Sequence, residues 1–154
     1  MTISRIASLV KSVSFLMLFI FPVHAAQPDK QGMIPVAKFV VQAPASGNYA
    51  PWQSKNHWAY AGEIIVISGS TFRYRRFTDV LSDKPEPDYS GSFSVFENHI
   101  NLDHPNVPNP YRVAGVADGV PVLMTQKGFE QWKKTGKVSE LNVLYQEKEI
   151  PPKK

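Results

Sequence analysis

Glycine and proline punctuate this chain too closely for long helices to fit between them. Pro44, Gly47, Pro51, Gly62, Gly69, Pro85, Pro87, Gly91, Pro105, Pro108, Pro110, Gly115, Gly119 and Gly136 divide it into short segments. The apolar runs between them are about four to eight residues long, the length of strands joined by turns. The chain contains no cysteine, so no disulfide framework and no thiolate metal site is available. Stability must come from one hydrophobic core.

The first 25 residues read as a cleaved secretory signal. Arg5 and Lys11 give a positive start, Val13–Phe21 is a short apolar run, and the small residues Val23 and Ala25 set a cleavage site. The apolar run is about half the ~20 residues a membrane span needs. The expectation is a periplasmic or secreted protein with no stable membrane anchor. Removing this segment takes Arg5 and Lys11 but no acid from 17 basic and 13 acidic residues, so the net charge falls from +4 to +2. So small a charge argues against a nucleic-acid partner. Residues 26–35 read as a flexible lead-in, 36–147 as one domain of a size that can bury its own core, and 148–154 as a disordered basic tail.

Within the domain, strands are expected over 36–42, 47–52, 62–68, 71–79, 89–96, 100–102, 111–117, 120–125 and 141–145. The Asp118-Gly119 pair suits a type I′ hairpin turn, because both residues tolerate positive φ. Lys127–Lys134 is the one helical segment, with Phe129 and Trp132 on one face and Gly136 placed to end it. The expected fold is all-β: an antiparallel up-and-down barrel, or a strongly curved sheet, of about eight strands with one short helix before the last strand.

The order of strands, with GNY at Gly47–Tyr49, TFRY at Thr71–Tyr74, YSGSF at Tyr89–Phe93 and a late LNVLY, resembles the small bacterial lipocalin-like (calycin-type) barrels over residues 45–147. The resemblance implies a small apolar molecule held in a cup. It assigns no residue of this chain to that task.

Motifs for catalysis are lacking. No serine sits in a G-x-S-x-G elbow, no glycine-rich phosphate loop occurs, and Glu63, Asp79 and Glu97 make no diagnostic carboxylate pair. His99, Asn101, Asp103 and His104 lie close in sequence, but a metal would need His57 to arrive from elsewhere. His99 reads as a turn residue and His104 as part of an exposed loop. No enzyme activity, metal or cofactor is expected.

TFRYRRFTDV, Thr71–Val80, poses the sharpest question. Strict alternation sends Arg76 inward with Phe72 and Tyr74, whereas a β-bulge at Arg75-Arg76 would turn it out and let Phe77 face the core. The bulge is the favoured reading. The alternative aims Arg76 at the acid group of a ligand, because an inward arginine needs a counter-charge. On the leading functional expectation, the protein carries or senses a small apolar or amphipathic molecule. The cup would be lined by Phe72, Tyr74, Phe93, Val95, Ile100, Leu102, Val113, Val122 and Val143. Arg76 would meet an acid group, with Trp52 and Trp58 near the mouth, although these tryptophans read more readily as a structural plug. Phe129 and Trp132 are expected to stop one end of the barrel. The second functional expectation is a protein-binding module, an inhibitor or accessory subunit of an envelope enzyme. It would present the proline-stiffened loops Asp83–Asp88 and His104–Pro110.

Overall fold

A computed structural model of the chain describes residues 26–52, 61–78 and 86–147. The expected signal, Trp58, His57, residues 83–85 of the acidic loop and the basic tail lie outside the described residues. Eleven strands and one α-helix follow one another: β1 (Met33–Pro35), β2 (Phe39–Val41), β3 (Gly47–Pro51), β4 (Ala61–Ser68), β5 (Thr71–Thr78), β6 (Asp88–Phe96), β7 (His99–Leu102), β8 (Tyr111–Ala117), β9 (Val120–Thr125), α1 (Gln126–Thr135), β10 (Lys137–Ser139) and β11 (Val143–Gln146), with a 3-10 turn at Glu140–Asn142.

Eight of these strands close into an antiparallel barrel. Going round it, β3, β4, β5, β6, β7, β8, β9 and β11 each pair with the next, and β11 returns to β3. Closure leaves no long unpaired edge among them. β7 is short, so its pairing with β8 stops at His99↔Val113, and β2 takes over the same edge with Val41↔Gly115. Asp118 and Gly119 both have positive φ, at 48° and 86°, as a type I′ turn requires. The Asp118 carboxylate also accepts hydrogen bonds from the Ala37 and Lys38 amides and so fixes the entry to β2.

Two apolar clusters sit on either side of the barrel wall. The interior holds Tyr49, Ile65, Ile67, Phe72, Tyr74, Ile100, Leu102, Ala114, Leu123 and Leu144, joined by Val107 from a loop and flanked by Tyr89 and Phe93. Outside β8, β9 and β11 lies the second cluster, in which Val113, Val122, Met124, Val143 and Tyr145 pack beneath α1 and the β1–β10 ribbon. The helix starts at Thr125, whose hydroxyl accepts from the Gly128 amide, and stops at Gly136 in the left-handed region. Phe39 packs against Phe129 and Trp132 at centroid distances of 5.7 and 5.3 Å, and the Trp132 indole donates to the Val36 carbonyl.

Within residues 26–35, Asp29 accepts from the Gln31 and Met33 amides, turning the chain into β1, where Ile34 is fully buried in the outer cluster. Several expectations are corrected here. Phe129 and Trp132 cover the barrel's outer wall and do not stop its end. Val113, Val122 and Val143 face that same outer cluster, and Val95, in phase with Phe93, is 61% exposed. The bulge at Arg75-Arg76 is absent, since β4 and β5 pair without interruption from Ala61↔Thr78 to Ser68↔Thr71. Phe77 faces outward and lies across its partner Gly62, where a Cβ would come within 2.8 Å of the ring. An aromatic ring thus covers the backbone that a glycine leaves bare.

Gly115 makes the close approach of β2 possible. A Cβ there would overlap the Val40 carbonyl oxygen and press on the Phe39 ring. Gly115→Ala should therefore lower stability by about 2 kcal/mol in urea unfolding. An unchanged midpoint would show that β2 does not seat on β8 as described.

Candidate functional site at the loop end of the barrel

The two ends of the barrel are built differently. One is closed by the short turns β4–β5, β6–β7 and β8–β9, and the other carries the long connections β3–β4, β5–β6 and β7–β8. With no bulge in β5, Arg76 shares the inward phase of Phe72 and Tyr74 and reaches the loop end, where it is exposed. Its cross-strand partner is Glu63, which shares the inward phase of Ile65 and Ile67. Arg73 and Arg75 face outward, and Asp88 holds Arg73 through two hydrogen bonds of 2.9 and 2.6 Å, with Arg75 at 3.9 Å. Among the described residues Arg76 makes no ion pair.

Below Arg76 lies a buried charge. Arg112 is 1% exposed and enters the interior from β8, in phase with Ala114. Its guanidinium donates to Glu63 Oε1 at 2.6 Å, to the Asn109 carbonyl at 2.8 Å and to the Pro108 carbonyl at 3.2 Å. A buried arginine is tolerable only when its donors are taken up in this way. The bonds also fasten the loop 103–110 over the barrel end, so that Val107 drops into the interior with only 4% exposure. His104 follows the same loop inward and stacks on Tyr89 at 4.5 Å, and Tyr89 in turn stacks on Tyr74 at 6.1 Å.

Tyr74 completes the constellation. It is 1% exposed, and its hydroxyl has no hydrogen-bond partner of good geometry, although the Glu63 carboxylate stands beside it. Burial first, and then the Glu63 charge, hold its phenol well above the usual range. Glu63 has a strong donor in Arg112, and Arg76 adds a second cation nearby. The site therefore places an exposed guanidinium above a buried hydroxyl whose approach to Glu63 falls short of good hydrogen-bond geometry.

Of the site residues expected from the sequence, Arg76 and Tyr74 come together at this end. Phe93 packs against the interior cluster, on the strand that carries Tyr89. Trp52 packs against the outer cluster instead, apart from Arg76, and Trp58 lies outside the described residues. The sequence assigns no role to Arg112 or Tyr89, and it brings in Glu63 only as a possible catalytic acid and His104 only as a possible metal ligand or docking-loop residue. Parity held the signal for Glu63 and Arg112: each is a charged residue in the phase of small or aliphatic residues that face inward. Among the described residues no three histidine, aspartate or glutamate side chains converge on a point. The chain matches no protein-family model, no curated protein and no solved structure.

Two measurements check this geometry. Arg112→Leu leaves Glu63 uncompensated and frees the loop, and should cost about 3 kcal/mol in urea unfolding, whereas Arg73→Ala at the exposed pair should cost under about 1 kcal/mol. Equal losses would contradict the buried role of Arg112. Burial also raises the phenols of Tyr49, Tyr74 and Tyr145. A raised folded value stabilises the fold below the ordinary tyrosine pKa of about 10 and loses that contribution as pH rises. Tyrosinate absorbance in an alkaline titration should therefore show these three ionising only with unfolding. Their smooth titration in the folded chain near pH 10 would contradict their burial.

Proposed function

We propose that this is an exported, non-catalytic binding protein of the cell envelope, related in kind to the lipocalin-like barrels. It holds a small amphipathic molecule at the loop end, with the molecule's acid group on Arg76 and the Tyr74 hydroxyl. The observation that carries the proposal is the buried Tyr74 hydroxyl without a good hydrogen bond, in the same phase as an arginine that makes no ion pair among the described residues. A buried unsatisfied hydroxyl costs about 1–3 kcal/mol, which a ligand accepting from it would recover. Large side chains crowd the interior below, so the ligand's apolar part lies shallowly at the loop end, against the half-buried rings of Tyr89 and His104. No nucleic acid, metal or cofactor is invoked.

One observation favours a second reading, a protein-binding module. Arg112 and Val107 fix the proline-rich loop 103–110 from within, so its exposed tip at Pro105, Asn106, Pro108 and Asn109 would dock with little loss of entropy.

Laurate and its neutral counterpart dodecanol separate the charge from the apolar contact. Arg76→Ala should weaken laurate about tenfold in calorimetric titration and leave dodecanol unchanged. Equal losses for both, or no laurate binding to the unaltered protein, would overturn the proposal.

A further inference from the structure

The outer wall of the barrel carries a second recess, away from the loop-end site. It is a groove of about 570 Å³ lined by Ser94, Phe96, His99, Asn101, Tyr111 and Gln126. The strand register explains its form. One row across the wall is Ser94, Asn101 and Tyr111, and the next is Phe96, His99 and Val113. β7 supplies a polar floor, and two aromatic rings stand at opposite corners, Phe96 at 71% and Tyr111 at 59% exposure. Both rings flank the same recess, so each presents an apolar face beside the polar floor.

The polar floor has fixed orientations. Asn101 donates its amide nitrogen to the Asp103 carboxylate at 2.8 Å, which leaves its carbonyl oxygen as a free acceptor. Gln126 donates to the Glu130 carboxylate at 3.0 Å, so its amide oxygen faces His99 and must accept from Nε2. That choice makes the neutral His99 ring a tautomer whose Nδ1 is an acceptor. Partners behind the groove thus set two acceptors, and the Ser94 and Tyr111 hydroxyls supply adaptable donors and acceptors. Asp103 and Glu130 are engaged in this orienting role, and among the described residues no aspartate, glutamate, lysine or arginine lines the groove.

We propose that this groove binds a neutral saccharide. Sugar hydroxyls would donate to the acceptors of the floor, and the apolar face of a sugar ring would lie against Phe96, the more exposed of the two rings. An anion finds no lysine or arginine in the lining, and a purely apolar ligand would strip water from acceptors without replacing its hydrogen bonds.

The test is an NMR titration of the protein, purified after expression of the whole chain, with maltotriose and with tri-N-acetylchitotriose. At least one sugar, at concentrations up to about 10 mM, should give saturable shifts centred on Ser94, Phe96, His99, Asn101, Tyr111 and Gln126. Phe96→Ala, at an exposed position where folding is not at stake, should weaken that binding about tenfold, and Arg76→Ala should leave it unchanged. No localised shift with either sugar, shifts centred elsewhere, or binding that survives Phe96→Ala would overturn the proposal.

Discussion

The loop end of this barrel is organised around the guanidinium of Arg112. It enters the interior with 1% exposure and binds one carboxylate and two backbone carbonyls. Each bond does something different. Glu63 neutralises the charge, and Asn109 and Pro108 tie a proline-rich loop to the barrel end. That anchoring lets Val107 fill the interior and sets His104 on Tyr89. Among the described residues Arg76 makes no ion pair, and the Tyr74 hydroxyl, beside Glu63, makes no hydrogen bond of good geometry. Hydrogen bonding and ion pairing at the loop end are thus incomplete at these two groups among the described residues. On the proposed function, the incompleteness is the binding capacity.

The two sides of the barrel wall divide the work of stability. The inner cluster is built from side chains alternating along the barrel strands, and the outer one from a helix and a two-stranded ribbon laid over β8, β9 and β11. Without cysteines, this second layer adds buried apolar surface that a single small barrel lacks. Glycines permit the closest contacts: Gly115 admits β2, and Gly91 makes room for Phe72 inside the barrel. Among the described residues the wall at β6 and β7 carries no such layer, and there Phe96 and Tyr111 are exposed.

Much of this architecture is legible in the sequence, because turn chemistry and period-two alternation act locally. The Asp118-Gly119 hairpin, the helix ending at Gly136 and the eight-stranded closed barrel all follow from such signals. The inner phase of β8 does not. YRVAGVA is apolar on both faces, since the outer cluster covers one and the barrel interior the other, so alternation cannot say which valines face in. The arginine at its second position marks the inner phase only once Glu63 is known to lie across from it. The β1 strand escaped for a related reason: MIP is too short to show a period, and only the Asp29 turn before it and Val138 beside Ile34 give it a place. At Arg76 plain alternation described the strand correctly, and the bulge was an unneeded rescue for Phe77, which Gly62 accommodates on the outside.

Native mass spectrometry tests the central claim most directly, on protein recovered from expression of the whole chain without detergent or added ligand. An acidic amphiphile held at Arg76 and Tyr74 should appear as a reproducible mass excess that is lost on denaturation, and the released molecule should carry an acid group. A bare-chain mass, or release of a molecule with no acid group, would contradict the claim.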